Sequence, residues 1–222
     1  MTVKIQVYSD FVCPFCYLGK KPFEEAIQGK DVEVEWMPFE LRPSGSQPID
    51  PWNEPSKLQG WNSYISPMAE KWGVEMKLPR LSPHPYTGLA FEGYHYTKEQ
   101  GKGNAYMNRV FTAFYQEELN IGELEVLTEL ASGIGLDAED FREALTSGKY
   151  KPVQDEARRH AYEEAAVTAV PTFIIGGQRI QGVTNRESFE QVLNEELAKD
   201  QGGLTIIPGL QCDVDGSCYD PS

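Results

Sequence analysis

The chain has 222 residues, of which 40% are hydrophobic and 11% aromatic, so it is long enough to bury a substantial core. Its 34 acidic residues outnumber the 20 lysines and arginines, and the formal net charge is −14. Because phosphate groups bind where the surface potential is positive, this charge argues against nucleic acid and anionic membranes as partners. The sequence has no apolar run near the ~20 residues that span a bilayer. It also lacks the basic and apolar regions of a secretory signal, so we expect a cytoplasmic protein.

The first part of the chain has the pattern of a β-α-β unit. Apolar and polar residues alternate over residues 3–8, which predicts a strand. Pro14 suits the first turn of a helix, which we expect to be kinked at Pro22 and to end near Gly29. A second alternating stretch, residues 31–39, predicts a strand parallel to the first and reached by a right-handed crossover.

A helical block is predicted between the two halves of a sheet. Proline, serine and glycine are frequent over residues 42–61, which indicates a long loop, and the pattern from there to residue 166 is helical. Strand patterns return at 172–175 and 178–181, with two glycines between them that are typical of a hairpin. Asn185 can cap a last helix. The sequence therefore predicts a small α/β sheet with helices inserted midway.

Within the helical parts, apolar residues recur at helical spacing, and Asp137 has the position of an N-cap. Such stripes are more typical of packed helices than of a cofactor pocket. The side chains expected in the core are Tyr106, Met107, Val110, Phe111, Phe114, Leu124, Leu127, Leu130, Ala131, Phe141, Leu145, Phe189, Val192, Leu193 and Leu197.

Cys13 and Cys16 stand two residues apart at the junction of the first strand and the first helix. The thiolate is the reactive form of cysteine, and the N–H groups and positive dipole end of a helix N-terminus stabilise it. We expect Cys13 to be the exposed nucleophile and Cys16 to attack the mixed disulfide formed at Cys13. The same spacing also serves zinc half-sites, but the strand-then-helix placement and the intervening proline favour a redox pair without metal.

These residues resemble a known family when they are taken together with a later segment. Residues 9–19, which read Ser-Asp-Phe-Val-Cys-Pro-Phe-Cys-Tyr-Leu-Gly, the segment 170–173 and the helical block between them are similar to DsbA-like thiol oxidoreductases. Residues 39–43 and 99–103 add a likeness to the FrnE-type branch, and the match covers residues 3 to 198.

The resemblance implies a fold and a division of the chain. We expect an α/β thioredoxin fold made of residues 1–42 and 167–199. An all-helical domain, residues 43–166 with a loop leading into it, is inserted between the β-α-β and β-β-α halves. Residues 200–222 then form a C-terminal tail.

The resemblance also implies a function, that of a protein disulfide oxidoreductase or isomerase in which Cys13 attacks and Cys16 resolves. It implies a cis peptide bond between Val170 and Pro171, and a loop of Val170, Pro171 and Thr172 that receives extended substrate backbone by β-strand addition. The partners would be protein thiols and disulfides, with no bound cofactor, glutathione as a candidate redox partner, and a role in oxidative stress. Monomer and dimer are both compatible with the sequence.

One residue departs from the family pattern. DsbA has a histidine between its cysteines where this chain has Phe15. A histidinium would stabilise the neighbouring thiolate, so we expect this pair to be less oxidising than that of DsbA and suited to isomerisation or reduction. Without it, Cys13 depends on the helix terminus and on Lys20 or Lys21, which are expected to be solvated.

The other two of the four cysteines, Cys212 and Cys218, lie in the tail with five residues between them. A local disulfide is sterically feasible, and closing so small a loop contributes only about 2.4 kcal/mol of chain entropy. Two alternatives stay open: the pair exchanges with Cys13 and Cys16 as a second redox centre, or it consists of idle reduced thiols.

Two other functions compete with the oxidoreductase. A kappa-type glutathione transferase or isomerase shares the inserted architecture, but such enzymes carry serine at the position of Cys13 and lack Cys16. A holdase that uses an apolar groove would need neither cysteine. His84, His95 and His160 are the only histidines, and none has the i, i+4 spacing of a metal site.

Overall fold

The structure, a computed structural model, describes residues 2–199 and the backbone of residues 200, 211–212 and 218–219. In residues 2–200 the strands are β1 (Val3–Ser9), β2 (Val32–Pro38), β3 (Thr172–Ile175) and β4 (Gln178–Gln181). The helices are α1 (Pro14–Ile27), α2 (Pro55–Gly60), α3 (Ser66–Trp72), α4 (Gly88–Glu99), α5 (Gly103–Tyr115), α6 (Leu124–Gly133), α7 (Ala138–Thr146), α8 (Lys151–Arg159) and α9 (Arg186–Asp200), with π-helical turns at Trp61–Ile65 and His160–Glu164.

The four strands form one sheet in the order β2-β1-β3-β4. β1 runs parallel to β2 and antiparallel to β3, and Val7 lies opposite Trp36 on one side and Phe173 on the other. β3 and β4 form the predicted hairpin. Because β1 is a central strand, its carboxyl end and the start of α1 lie beside the segment that enters β3.

The helical block packs on this sheet through aromatic side chains. Phe111 of α5 lies with its ring centroid 5.3 Å from that of Phe11, 5.6 Å from that of Tyr17 and 6.5 Å from that of Trp36. Side chains from the sheet, from α1 and from the block belong to one contiguous buried cluster. The thioredoxin-like half and the helices therefore share a hydrophobic core at the base of the cysteine motif.

Most predicted elements are confirmed, and one prediction was wrong. The strands agree to within one residue, and the helical stripes are buried or half-buried. Asp137 caps α7, and Asn185 Oδ1 accepts a hydrogen bond from the Ser188 amide (3.0 Å) before α9. The predicted loop at 42–61 contains α2, which begins at Pro55 and continues through the π-helical turn, where Trp61 and Ile65 are buried. Pro22 lies inside α1 without ending it.

The described part of the tail is a two-stranded antiparallel pair of β5 (Gln211–Cys212) and β6 (Cys218–Tyr219). Its register places Cys212 directly opposite Cys218. The predicted pairing of these thiols concerns side chains that lie outside the described residues. Among the helices of the described residues, none is long and apolar enough to cross a lipid bilayer.

Replacing Gly93 by alanine should destabilise the fold, because α4 approaches its neighbours closely there. A Cβ at this position would lie 2.8 Å from Phe141 Cζ and would overlap the Tyr106 hydroxyl. Crowding of this kind costs about 1–3 kcal/mol, which urea unfolding would measure as a lower free energy of unfolding. Gly133→Ala in α6 is the matched control, because a Cβ there meets no atom within 4 Å. Equal stability of the two variants would contradict this account.

Candidate functional site

Cys13 is the N-cap residue of α1, with extended backbone angles (φ −87°, ψ 111°). Pro14 fills the first helical position, where its missing N–H costs no hydrogen bond. The Cys13 carbonyl oxygen accepts hydrogen bonds from the amides of Cys16 (3.0 Å) and Tyr17 (3.3 Å), which turns the chain into the helix. Both Cys13 and Cys16 are free thiols.

The expectation that Cys13 is exposed was wrong. Cys13 is 4% exposed and Cys16 is 2% exposed. Cys13 is covered because Val170 lies against it, and its thiol donates a hydrogen bond to the Val170 carbonyl oxygen (Sγ–O 3.5 Å). The Cys13 side chain is reached through a cavity beside it rather than from open solvent.

The Val170–Thr172 segment meets the cysteine motif because β3 pairs with β1. The peptide bond between Val170 and Pro171 is cis, as the resemblance implies. The Pro171 carbonyl oxygen accepts a hydrogen bond from the Gly182 amide (2.7 Å), and the Thr172 hydroxyl donates to the Ala169 carbonyl oxygen (2.7 Å). Both ends of this short loop are therefore held before any substrate binds.

The two cysteines differ in the environment that governs their ionisation. Burial raises the pKa of the Cys16 thiol well above its usual value, and the adjacent Cys13 raises it further. The nearby Ser9 side chain and Asp10 backbone lower the pKa of Cys16 and so oppose part of this rise. As long as Cys13 is not bound to a substrate, Cys16 is therefore a protonated thiol at neutral pH.

Asp10 is a fully buried carboxyl group three residues before Cys13, and it joins separate segments around the motif. Its Oδ2 accepts a hydrogen bond from the Leu41 amide (2.7 Å), and its Oδ1 accepts one from the Val12 amide (3.4 Å). Burial raises the pKa of Asp10 to about 7, and these bonds, with one from the Thr87 hydroxyl, limit the rise. The carboxyl is thus partly protonated at neutral pH.

A second buried carboxylate, Glu40, ties the segment after β2 to the helical block. Its Oε1 accepts a hydrogen bond from Gln154 Nε2 (2.8 Å), and Arg158 Nη1 lies 3.9 Å from the same oxygen. The Glu40 carbonyl oxygen accepts one from the Tyr162 hydroxyl (2.6 Å). The hydrogen bonds and the cation compensate the burial of this charge.

A cavity of about 500 Å³ opens beside Cys13, between the cysteine motif, the Val170 segment and helices of the inserted block. Its walls are mainly apolar and include Val12, Ile49, Ile65 and Leu78. The polar groups in the wall are few, and two of them, His84 and Tyr115, have buried side-chain atoms without a hydrogen-bond partner. A mostly apolar cavity with a few converging polar groups is typical of a ligand site.

The structure brings Cys13, Cys16, Val170, Pro171 and Thr172 together, and it adds Asp10, Glu40, His84 and Tyr115 to the surroundings. The sequence could have indicated Asp10 and Glu40, because they lie in the two segments, 9–19 and 39–43, that carry the family resemblance. The sequence did not indicate His84 or Tyr115. The cavity joins residues far apart in the chain.

The expectation that Lys20 and Lys21 are merely solvated was wrong. Lys20 Nζ pairs with Glu24 (2.7 Å), and Lys21 Nζ donates hydrogen bonds to the carbonyl oxygens of Trp72 (2.7 Å) and Gly73 (3.1 Å). Lys21 thus fastens the end of α3 to α1. Within residues 2–199, His, Cys, Asp and Glu side chains form no group of three or more that could hold a metal ion.

Comparison with known proteins places the chain in a family. Residues 4–194 match the sequence model of the DSBA-like thioredoxin domain. The Bacillus subtilis protein YwbO is 58% identical over 199 residues, which are 90% of this chain and 100% of YwbO. The 2-hydroxychromene-2-carboxylate isomerase of Pseudomonas putida is 26% identical over 178 residues, which are 78% of this chain and 86% of the isomerase.

A solved structure agrees with the sequence comparison. The crystal structure of a probable DsbA oxidoreductase from Streptomyces coelicolor, SCO1869, superimposes with a TM-score of 0.79 at 26% identity. The match covers 99% of this chain and 100% of that one.

The buried Asp10 carboxyl should make stability depend on pH. Its pKa is about 7 in the folded chain and about 3.9 in an unfolded one. The folded state therefore binds the proton more tightly, and this stabilisation, complete below about pH 4, is lost as the pH rises through 7. Between pH 4 and 8, the native chain should lose up to about 4 kcal/mol of unfolding free energy relative to Asp10→Asn, at ~1.4 kcal/mol per pKa unit.

Urea unfolding of both proteins at several pH values measures this difference. All other titrating groups are common to the two proteins, so the difference curve reports on Asp10. A difference that stays constant from pH 4 to 8 would show that the Asp10 carboxyl has an ordinary pKa.

Proposed function

Because the chain belongs to the DSBA-like thioredoxin domain family, we propose that it is a thiol–disulfide oxidoreductase or isomerase that acts on protein disulfides through Cys13 and Cys16. The observation that carries the proposal is the asymmetry of this pair. Cys13 stands at a helix N-terminus, against Val170 and open to a cavity, whereas Cys16 is enclosed one turn below. The first position suits attack on a substrate, and the second suits resolution.

Reduction of a substrate disulfide proceeds in two exchanges. The Cys13 thiolate attacks one sulfur of the substrate, a Cys13–substrate disulfide forms, and the leaving substrate thiolate takes up a proton. Cys16 then loses its proton and attacks Cys13 Sγ, which releases the second substrate thiol and leaves a Cys13–Cys16 disulfide. Two electrons and two protons pass to the substrate, and the reverse sequence oxidises a dithiol.

The helix N-terminus stabilises the Cys13 thiolate through the partial positive charge of its first turn. Cys16 receives its activation later. Once Cys13 is bound in a mixed disulfide it carries no charge, so one cause of the raised pKa of Cys16 disappears. The resolving thiol thus becomes easier to ionise only after the substrate is attached.

The Val170–Thr172 segment supports the binding of extended polypeptide. In the free protein the Val170 carbonyl oxygen accepts the Cys13 S–H group. Attack by Cys13 removes that donor, and the carbonyl oxygen becomes available to a substrate N–H. Backbone pairing of this kind accepts many sequences, which fits an enzyme with broad protein substrates.

Phe15 between the cysteines is 36% exposed and lines the cavity, so it adds apolar surface rather than a charge to stabilise the thiolate. We therefore assign the pair a more reducing potential than that of a DsbA with histidine at this position. A more reducing potential is consistent with a cytoplasmic location, with glutathione as the redox partner and without a bound cofactor.

A glutathione redox titration with thiol trapping and mass mapping of all cysteines tests the proposal. Cys13 and Cys16 should convert reversibly and together into one disulfide. Cys16→Ser should accumulate a Cys13–substrate mixed disulfide, because the resolving step is lost, and Cys13→Ser should form none. If Cys13 and Cys16 never pair in the native chain, the proposed function fails.

We also propose that the tail cysteines, Cys212 and Cys218, form a second redox pair. The support is the backbone register of β5 and β6, which places Cys212 directly opposite Cys218. Reduced Cys212 and Cys218 would pass two electrons and two protons to the Cys13–Cys16 disulfide by thiol–disulfide exchange and become a disulfide themselves, which regenerates the dithiol for the next substrate.

Cys212→Ser tests this relay. The variant should turn over a disulfide substrate more slowly and should shift the redox state of Cys13 measured by thiol trapping. Cys218→Ser should reproduce both effects, since either substitution removes the pair. Unchanged turnover together with unchanged oxidation of Cys13 would leave the tail cysteines as idle thiols.

An isomerase acting on a small molecule is the second candidate. It is favoured by the identity shared with 2-hydroxychromene-2-carboxylate isomerase and by a cavity large enough for a small organic substrate. Isomerisation of that compound that persists in Cys16→Ser would support it, since a resolving thiol has no part in such a reaction.

A further inference from the structure

The imidazole of His84 is 5% exposed, and neither ring nitrogen has a hydrogen-bond partner. The ring packs edge-on against Phe114, with ring centroids 5.1 Å apart. The Pro79 carbonyl oxygen lies near the ring and slightly raises its pKa, and it also accepts a hydrogen bond from Trp52 Nε1 (2.8 Å). A buried polar side chain without partners is rare in folded proteins and calls for an explanation.

His84 is neutral at physiological pH. Burial lowers its pKa to about 4, although the nearby Asp50 carboxylate partly opposes the shift. A neutral imidazole presents one N–H donor and one nitrogen acceptor. In the described structure neither this donor nor this acceptor has a hydrogen-bond partner. The ring can therefore form a hydrogen bond with an uncharged group that enters from the cavity.

The cavity that His84 lines also contains Cys13 and Val170 in its wall. Most of the remaining wall is apolar, and Tyr64 at its edge is 67% exposed. The one cationic side chain in the wall, within the described residues, is Lys57, and Glu54 lies 3.2 Å from it. The chemistry of the wall therefore suits a flat apolar group with an uncharged polar edge, not an anion.

We infer that the cavity is a specificity pocket for the residue next to the substrate cysteine, and that it takes a tyrosine side chain whose hydroxyl bonds to His84. This inference rests on the proposed function, in which Cys13 holds the substrate sulfur and Val170 its backbone. A side chain adjacent to that cysteine then lies at the mouth of the cavity. Tyrosine fits because its ring fills apolar space, and its hydroxyl both donates and accepts, so it matches either tautomer of His84.

The test is a single-turnover reaction between the reduced full-length chain and disulfide-linked peptide dimers. Three peptides differ only at the residue next to cysteine, which is tyrosine, phenylalanine or alanine. One dimer and one reduced protein give two peptide thiols and one Cys13–Cys16 disulfide, so no further reductant enters. The second-order rate constant of each peptide is measured from the appearance of peptide thiol.

The native chain should react with the phenylalanine peptide roughly tenfold faster than with the alanine peptide, because the ring is buried. It should react with the tyrosine peptide a further ~5-fold faster, which is the contribution expected of one hydrogen bond. In His84→Phe the tyrosine-over-phenylalanine ratio should fall to about one or below, because the substrate hydroxyl loses the imidazole as its partner. The phenylalanine-over-alanine ratio should persist.

His160→Phe is the matched control, because His160 does not line the cavity, and it should keep both ratios. Equal rate constants for the tyrosine and phenylalanine peptides with the native chain would overturn the inference, and that comparison needs no variant. A tyrosine preference that survives in His84→Phe would overturn it too. These results leave the proposed function intact, whereas failure of all three peptides to oxidise Cys13 and Cys16 would overturn the proposed function itself.

Discussion

The antiparallel pairing of β1 with β3 is the constraint on which the rest of the site depends. It sets Tyr8 opposite Thr172, and this register carries the two following segments to one edge of the sheet. One segment leads into Cys13 and α1, and the other is the Val170–Pro171 turn. The 3.5 Å contact between Cys13 Sγ and the Val170 carbonyl oxygen joins residues 157 positions apart in the chain. Since strand register fixes which side chains face each other, a shift by one residue would separate them.

The surroundings of this edge combine a shared apolar core with a few buried polar groups. Phe11 packs against Phe91 and Phe111 of the helical block, so the motif rests on helices encoded far from it in the sequence. Asp10 and Glu40 are buried among these helices and are held by backbone amides and by Gln154. Buried carboxyl groups are costly unless they are bonded, and these bonds fix the segment after β2 relative to the cysteines. The site is thus held by hydrogen bonds on its sheet side, and Cys13 borders the cavity on the other side.

The cavity arises because the inserted block does not seal the cysteine edge completely. Helices and loops of the block supply Trp61, Ile65, Leu78 and Tyr115, and the thioredoxin-like half supplies Val12, Cys13 and Val170. Burial favours the uncharged form of two groups near this edge, since it lowers the pKa of His84 and raises the pKa of Cys16. The wall of one cavity therefore contains the Cys13 thiol, the His84 imidazole without a hydrogen-bond partner, and a mainly apolar surface.

The strands, the N-caps at Asp137 and Asn185 and the placement of Cys13 and Cys16 at a strand–helix junction could be predicted from the sequence, because they depend on local periodicity and capping. The sequence also indicated the hairpin at 172–181, whose turn is encoded by adjacent glycines. Three features became visible only in the folded chain: Val170 covers Cys13, Lys21 binds the end of α3, and α2 forms within the predicted loop. These outcomes depend on contacts between distant segments, which no local pattern contains. The same reason explains why the sequence did not indicate a role for His84. Its position in the cavity wall, and the lack of partners for its two ring nitrogens, result from contacts with distant segments.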